Sequence, residues 1–235
     1  MDQSLIFDAG LIAKYDQSGP RYTSYPTAVQ FHSGFGVADY RRIARATNAQ
    51  PRPLSLYFHL PFCDTVCFYC ACNKVVTKDR RLAAPYLQRL EQEIALQAEL
   101  FDGTRPVEQL HWGGGTPTFI SEAEMAQLMA ATRRHFTLAD EESGEFSVEL
   151  DPREAKGHIV QLLRELGFNR VSLGVQDFEP RVQAAVNRFQ TEEETLGMME
   201  EARRLGFRSI SLDLIYGLPL QTMESFGRTL DKVIA

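Results

Sequence analysis

The sequence contains little cysteine, and it contains none outside one short stretch. All four cysteines lie between positions 63 and 72 of a chain of 235 residues. Disulfides that staple a secreted domain join segments that are distant in sequence, and cysteines packed this closely cannot do so. The pattern therefore predicts thiols that bind something, in a protein of a reducing compartment, the cytoplasm.

Three further absences exclude other classes of protein. There is no excess of basic residues, since the net charge is −6, so neither nucleic acid nor an anionic membrane is expected as a partner. No apolar run reaches the length of a membrane span. The N-terminus carries acidic residues early and no basic region, so a signal peptide is not expected. With 44% hydrophobic residues, the chain can bury one large core.

The first 50 residues are predicted to form an N-terminal extension. Within it, the island from Ser18 to Thr27, SGPRYTSYPT, combines two prolines and a glycine with two tyrosines, which predicts an extended arm. A helix is expected at 37–47. The predicted domains are therefore an arm over residues 1–50 and a second domain over residues 51–235.

From residue 51 onward, strand patterns alternate with helix patterns. Two helices begin at capping boxes, Ser121–Glu124 and Thr191–Glu194, in which a hydroxyl and a glutamate cap each other's backbone N–H groups. Strands are predicted at 54–59, 107–112, 145–150, near 170 and at 209–216, and the other helices at 85–101, 154–166 and from 222.

An internal repeat indicates the architecture. The segment 166–173, LGFNRVSL, recurs as 205–212, LGFRSISL. Each copy combines a helix end, a glycine suited to the left-handed position after a helix, and the start of a strand. Such βα units form parallel sheets with right-handed crossovers. The predicted fold is therefore α/β, a partial parallel βα barrel of about five βα units. Because another strand would be expected next, the chain is expected to be a fragment of a longer protein.

Polar or glycine-rich segments follow all five predicted strands. In α/β folds the functional groups gather at the carboxyl ends of the strands, so these segments are expected to surround one site. They are the cysteine loop, the GGGTP segment at 113–117, Glu149 with Asp151, Gln176 with Asp177, and Asp213 with Gly217.

The spacing of the cysteines narrows what they bind. Cys63, Cys67 and Cys70 form a Cys-x3-Cys-x2-Cys pattern, and Cys72 follows. Structural zinc sites usually close four positions with two separated cysteine pairs, whereas a [4Fe-4S] cube held by three thiolates leaves one iron open. A cluster is favoured, and zinc, a redox dithiol or no ligand remain alternatives. From the residues alone Cys72 is explained as a buried structural thiol, whereas the family resemblance described next implies, equally well, a hydrogen donor that is not a ligand.

The cysteine loop resembles the signature of the radical S-adenosylmethionine (SAM) superfamily. Further segments narrow the resemblance to the oxygen-independent coproporphyrinogen III oxidase family, whose members are considerably longer. The segments that carry it are SGPRYTSYPTA, CACNK, HWGGGTPT, VELDPRE, GVQDF, VNRFQ and DLIYGLP. The resemblance implies oxidative decarboxylation of two propionates of coproporphyrinogen III, giving protoporphyrinogen IX. The reaction would use a 5′-deoxyadenosyl radical made from SAM at a [4Fe-4S] cluster.

The resemblance also implies roles for individual residues. Cys63, Cys67 and Cys70 would hold the cluster. The methionine part of SAM would meet Gly113, Gly114, Gly115 and Thr116, with Glu149 and Tyr57 also contacting this molecule. A second SAM is expected beside Tyr69, Gly114, Gln176, Arg188 and Asp213.

From the residues alone, each of these positions has a plainer interpretation. A glycine run can be only a tight turn, Glu149 a cap or ion pair, Tyr57 a core residue and Arg188 a surface arginine. Asp213, between Leu212 and Leu214, is predicted to be buried with a partner or ligand.

The expected partners are coproporphyrinogen III as substrate and a reduced flavodoxin or ferredoxin as electron donor. Arg21 and Tyr22 of the arm could meet substrate carboxylates, and a monomer is expected. Two rival functions are an anaerobic haem-degrading radical SAM enzyme and a haem chaperone of the same superfamily. Relatives of the chaperone typically lack the fourth cysteine and the SGPRYTSYPT arm, and both are present here.

Overall fold

The computed structural model describes residues 7–16, 27–50, 52–155 and 158–234. The chain divides into two compact units, Met1–Ala44 and Arg45–Ala235. Helix α1 (Ala9–Tyr15) and most of α2 (Val37–Ala46) belong to the first unit. The predicted helix at 37–47 is confirmed by α2. The arm predicted over 18–27, with Arg21 and Tyr22, lies outside the described residues except for Thr27, and the domain boundary after residue 50 stays a prediction.

The second unit is built on a parallel sheet of five strands in sequential order, β1-β4-β5-β6-β7. The strands are β1 (Leu54–Leu60), β2 (Phe62–Cys63), β3 (Val75–Val76), β4 (Val107–Gly114), β5 (Glu145–Leu150), β6 (Arg170–Gln176) and β7 (Ser209–Leu214). The helices are α3 (Ala83–Ala98), α4 (Glu122–His135), α5 (Ile159–Glu165), α6 (Pro180–Ala185), α7 (Glu192–Arg204) and α8 (Met223–Ile234). This arrangement confirms the predicted α/β fold, a partial parallel βα barrel.

The two faces of the sheet differ because side chains alternate along each strand. One face packs on the helices and forms the core, with Trp112, Val148 and Leu173 almost completely buried. The other face, called here the cavity face, carries mostly polar residues: Tyr57, His111, Glu149, Ser172 and Asp213. Parallel strands buried on both faces would be apolar throughout. The alternation therefore indicates that one face of this sheet is not packed into the core.

Local capping signals place two helices as predicted. Ser121 and Glu124 form a capping box at the start of α4, and Thr191 and Glu194 do the same for α7. The apolar side chains of Met125, Leu128 and Met129 in α4 are buried in the core. Each box supplies partners for backbone N–H groups that the first helical turn leaves unbonded.

The internal repeat marks two equivalent turns from helix to strand. Gly167 and Gly206 both have positive φ, 99° and 78°, as a residue in the left-handed position after a helix requires. In the first copy, Asn169 is completely buried and joins two strands. Its Oδ1 accepts from the Phe146 N–H at 3.0 Å, and its Nδ2 donates to the Gly144 carbonyl at 2.8 Å.

Three elements differ from the sequence-based expectation. Helix α5 begins at Ile159 rather than near 154, because Asp151 accepts the backbone N–H groups of Arg153, Glu154 and Ala155 in a separate turn. Helix α6 is additional, and Pro180 lies at its start. The cysteine loop also contains the short parallel pair β2–β3. Within the described residues, no helix is both long enough and apolar enough to cross a bilayer.

Replacing Asn169 should weaken the fold. Asn169→Ala removes the partners of two buried backbone groups, at roughly 1–3 kcal/mol each, so we expect the free energy of unfolding to fall by about 2–6 kcal/mol. The midpoint of urea unfolding measures this. Gln161→Ala, on the exposed face of α5, is the control and should change stability by less than about 0.5 kcal/mol. Equal midpoints for the two variants would contradict the role given to Asn169.

Candidate active site

One cavity opens on the cavity face, at the carboxyl ends of the strands. It is lined by Cys63, Thr65, Cys67, Tyr69, Cys70, Cys72, Lys74, Gly114, Gly115, Thr116, Glu149, Leu150, Asp151, Arg153, Ser172, Gly174, Gln176, Arg188 and Asp213. Size does not single it out, because its volume of about 250 Å³ is smaller than the 720 Å³ of a surface cleft at Asp140 and Arg208. The chemistry of its lining singles it out, because this cavity brings all four thiols together with three cationic and three acidic side chains.

The cysteine loop is anchored at its ends and in its middle. Its two ends are joined by the β2–β3 pair, in which Val75 and Thr77 donate backbone hydrogen bonds to Pro61 and Cys63 at 2.7 and 2.9 Å. In its middle, the Phe68 N–H donates to the Val186 carbonyl at 3.0 Å. The Asn187 Nδ2 donates to the Val66 carbonyl at 2.8 Å. The loop is therefore held in one conformation by the segment that follows α6.

The glycine segment 113–115 approaches this loop closely. The Gly115 N–H donates to the Leu60 carbonyl at 2.8 Å, and the Thr116 N–H donates to the Phe62 carbonyl at 2.7 Å. A Cβ at position 115 would lie 2.6 Å from the Phe62 carbonyl oxygen, which is backbone and cannot move aside easily. Gly114 has φ 115°, which disfavours any side chain. The hydroxyl of Thr116 donates to the Cys63 sulfur at 3.9 Å.

Glu149 is held by partners from β4. Its Oε2 accepts from the Gly114 N–H at 3.0 Å, and its Oε1 lies 3.2 Å from the Nε2 of His111. Because a carboxylate cannot donate, this His111 nitrogen must carry the proton. Burial alone would raise the pKa of Glu149, but the hydrogen bonds from His111 and Gly114 hold this pKa below its ordinary value. Glu149 therefore faces the cavity as a charged acceptor with lone pairs to spare.

Three charged side chains meet beside Cys67. Asp151 forms ion pairs with Arg153 at 2.6 Å and with Arg188 at 3.1 Å. Both arginines also donate to the Cys67 sulfur, Arg153 at 3.7 Å and Arg188 at 3.6 Å. Burial raises the pKa of Asp151, but its bonds to Arg153 and the nearby Arg188 charge outweigh this and keep it low. Asp151 is therefore an anion that fixes two cations on one sulfur.

Two other groups nearby are pushed toward their neutral forms. Burial raises the pKa of the Cys63 thiol to about 11, despite its hydrogen bond from Thr116. Burial, followed by the Asp151 and Asp64 carboxylates, raises the pKa of Glu154 to about 7. Atom Oε2 of Glu154 has no hydrogen-bond partner among the described residues. A bound metal would reverse the tendency at Cys63, because metals bind the thiolate form.

The structure brings together most of the residues predicted for the site. All residues assigned to the cluster or to SAM line the cavity except Tyr57 and Gly113, and Asp177 and Gly217, also expected around the site, do not line it. Tyr57 is 56% exposed on β1 and stacks on His111 with ring centres 5.7 Å apart, so it is not a core residue. Gly113 pairs with His59 within the β1–β4 ladder. Gln176 lies at a register shift at the end of β6, with a positive φ of 69°.

Two expectations about environment were wrong. Asp213 is exposed on the edge strand β7. Side chains alternate along this strand, so that of Asp213 points to the cavity face and not to the core. There it accepts a hydrogen bond from the Ser172 hydroxyl at 2.9 Å. Arg188 is almost fully buried rather than a surface arginine, because Asp151 and the Gly174 carbonyl accept its donors. Asp177 holds the chain near α8 in place. Its Oδ1 accepts a hydrogen bond from Thr229 within α8, and its Oδ2 accepts one from Gln221 just before α8.

Several site residues were not predicted, and the sequence carried a signal for some of them. His111 alternates with Leu110 and Trp112, which places it on the cavity face opposite the core. Arg153 follows Asp151 and a proline at the end of β5, but its contact with Cys67 joins residues far apart in sequence. Lys74, whose Nζ donates to the Cys70 carbonyl at 2.9 Å, ends the CACNK segment that carries the family resemblance, but no role was predicted for it.

A sequence profile of the radical SAM superfamily matches residues 57–233, which includes every residue that lines the cavity. The chain belongs to the radical SAM superfamily. Its N-terminal residues before Tyr57 lie outside this match.

Within the radical SAM superfamily, relatives of high identity share one name. Oxygen-independent coproporphyrinogen III oxidase from Pseudomonas aeruginosa is 57% identical over 100% of this chain and 51% of its own length. The protein of that name from Escherichia coli is 50% identical over 98% of this chain and 50% of its own. The solved structure of coproporphyrinogen III oxidase (HemN) from Escherichia coli, a radical SAM enzyme, matches with a TM-score of 0.88 at 48% identity. The matched region covers 98% of this chain and 50% of the Escherichia coli chain. The chain thus spans about half the length of the curated relatives it matches.

Radical SAM proteins use a [4Fe-4S] cluster and SAM, and the residues of the cavity fit both. Three thiols with the superfamily spacing face one cavity, and two guanidiniums donate to one of their sulfurs. Among the described residues, no group of His, Cys, Asp and Glu side chains is arranged around a single metal ion. At the glycine segment no side chain lies between the backbone and the cavity, which allows a ligand such as SAM to approach the backbone closely.

A methyl group at position 115 should disrupt the contact between the cysteine loop and the glycine segment. Gly115→Ala forces backbone apart, and overpacking of this kind costs about 1–3 kcal/mol. We expect a lower urea midpoint and less iron bound after anaerobic reconstitution. Gly197→Ala is the control, because a Cβ there meets nothing within 4 Å, and alanine in a helix should stabilise by up to about 1 kcal/mol. Wild-type stability and iron content in Gly115→Ala would contradict this account.

Proposed function

We propose that the protein oxidatively decarboxylates two propionate side chains of coproporphyrinogen III to vinyl groups, giving protoporphyrinogen IX for haem biosynthesis. One observation carries this proposal. The chain is 57% identical over its whole length to a protein named for that reaction, and its cavity residues lie within the matched segment. Because the chain spans about half of such relatives, the activity is proposed for the protein and not ascribed to this segment alone.

Cys63, Cys67 and Cys70 are proposed as the ligands of the cluster. All three line the cavity, and the hydrogen bond from the Cys70 N–H to the Cys67 carbonyl at 3.0 Å closes a tight turn between two of them. Cys72 is exposed and adjacent, and we assign it no ligand role. The cytoplasm is the proposed compartment, because these thiols must stay reduced until they bind iron.

One SAM is proposed to lie against the glycine segment and Glu149. The backbone at Gly113, Gly114, Gly115 and Thr116 offers close approach to the methionine part, and Glu149 offers a charged acceptor for its amino group. Tyr57 and His111 support this assignment indirectly. Their rings stack, and the His111 proton fixes the orientation of the Glu149 carboxylate.

A second SAM is proposed beside the first. The residues assigned to it are Tyr69, Gly114, Gln176, Arg188 and Asp213, all of which line the same cavity. Asp213 supports the assignment best, because its carboxylate is exposed to the cavity and only Ser172 donates to it among the hydrogen bonds found in the described residues.

The bound cluster and SAM would supply a carbon radical able to take a hydrogen atom from the β-carbon of a propionate. The chain's own contribution is to orient ligands and to exclude water. Anchoring of the cysteine loop by Val186 and Asn187 keeps the thiols in place, and Glu149 remains charged so that it can hold a cationic amino group. A role for Arg21 and Tyr22 with substrate carboxylates stays a prediction. A reduced flavodoxin or ferredoxin as donor and a monomeric state are also proposed.

Single replacements of the cysteines test the ligand set. We expect Cys63→Ser, Cys67→Ser and Cys70→Ser to lose the cluster after anaerobic reconstitution, because three thiolates are the minimum that holds it. Cys72→Ser is the matched control and should keep its iron and sulfide. Iron and sulfide analysis with EPR of the reduced protein, before and after SAM, measures this. A spectrum that SAM does not change, or equal iron in all four variants, would contradict the proposal.

The activity itself is tested on the full-length protein from the same source. With coproporphyrinogen III, SAM and a reductant under anaerobic conditions, carbon dioxide and vinyl products are expected in step with cleavage of SAM. Cleavage of SAM without carbon dioxide would favour a haem-degrading enzyme or a chaperone instead.

A further inference from the structure

Two arginines from different parts of the chain donate to the same sulfur. Arg153 follows β5 and places Nη2 3.7 Å from the Cys67 sulfur, while Arg188 follows α6 and places Nη1 3.6 Å from it. Neither Cys63 nor Cys70 receives an arginine in the hydrogen bonds of the described residues. The convergence on Cys67 therefore distinguishes one cysteine of the loop from the other two.

Asp151 fixes the geometry of both arginines. It takes a two-pronged contact from Arg153, with Nε at 2.9 Å from Oδ1 and Nη2 at 2.6 Å from Oδ2. It also accepts from Nη1 of Arg188 at 3.1 Å. A planar guanidinium held at two points has little freedom, so its remaining N–H groups are aimed in advance.

Charge balance at this group requires one more anion. The side chains of Asp151, Arg153 and Arg188 are only 9%, 16% and 7% exposed, so two positive charges face one negative charge with little water. An unbalanced buried charge is costly. The Cys67 sulfur is an atom that both arginines touch, so negative charge on this sulfur would be stabilised by both of them.

We propose that Asp151, Arg153 and Arg188 form an arginine clamp that makes the cluster bound through Cys67 easier to reduce. Hydrogen bonds to ligand sulfur and nearby positive charge both stabilise the more negative, reduced form of an iron–sulfur cluster. Arg153 acts here as a positioning residue, since it works through Cys67 and Asp151. The inference rests on the proposed function in one respect, namely that Cys67 is a ligand of the cluster.

Replacement of Arg153 tests the clamp through the reduction potential. The 235-residue chain, with its cluster reconstituted, is titrated anaerobically and followed by EPR. At the midpoint potential of the wild type, we expect Arg153→Gln to show a ratio of reduced to oxidised cluster about tenfold lower, equivalent to a midpoint about 59 mV more negative for one electron. Arg153→Lys keeps the positive charge and should fall between the two. Arg164→Gln is the control, because Arg164 bonds Glu141 and the Leu205 carbonyl outside the cavity, and its ratio should equal that of the wild type.

A second measurement is decided on the wild-type protein. In wild-type protein labelled with [15N]arginine, pulsed EPR of the reduced cluster should show 15N hyperfine coupling from the clamp. This coupling should diminish in Arg153→Lys. Its absence in the wild type would overturn the clamp even if Arg153→Gln failed to fold.

The outcomes separate the clamp from the function on which it rests. Full iron and sulfide in Arg153→Gln, with a wild-type potential, would overturn the clamp and leave the proposed function intact. A wild-type chain that binds no cluster would overturn the proposed function, and the clamp with it.

Discussion

The site depends on two backbone hydrogen bonds that join the cysteine loop to the end of the second sheet strand. They run from Gly115 to Leu60 and from Thr116 to Phe62, at 2.8 and 2.7 Å. They continue the pairing of β1 with β4 past the end of the ladder, so Cys63 is attached to the sheet rather than to a free loop. Only a residue without a side chain allows the backbones this close. Gly114 is needed for a different reason, its positive φ.

The fold was predictable where its signals are local in sequence. Capping boxes, the repeated helix-to-strand turn and the alternation of β5 each involve residues a few positions apart, and each prediction was confirmed. The late start of α5 was missed because residues 151–155 form a separate turn, in which the Asp151 side chain accepts the Arg153 N–H and the Asp151 carbonyl accepts those of Glu154 and Ala155. The β2–β3 pair was missed because strands of two residues carry no periodic pattern.

The site was predictable in its location and less so in its contacts. Parallel strands bring their carboxyl ends to one edge, so residues that follow different strands had to meet there. Which of them would be buried was not predictable in the same way. Arg188 is buried because Asp151, far from it in sequence, supplies a partner, and Asp213 is exposed because β7 lies at the edge of the sheet. The burial of Arg188 depends on a tertiary neighbour that no local pattern encodes. The direction of the Asp213 side chain follows from alternation along β7, and its exposure follows from the edge position of that strand, which no local pattern encodes.

The distribution of charge in the cavity limits what it can bind. The cationic side chains, Lys74, Arg153 and Arg188, line the side of the cysteine loop, while two carboxylates, Glu149 and Asp213, lie on the cavity face of β5 and β7. A polyphosphate would meet both carboxylates and be repelled by them, since like charges at short range in a partly buried site interact by several kcal/mol. A ligand that carries a carboxylate and cationic groups together finds a complement on each side. SAM, with its carboxylate, amino group and sulfonium, is such a ligand, so electrostatics supports the same assignment as the cysteine spacing does by an independent route.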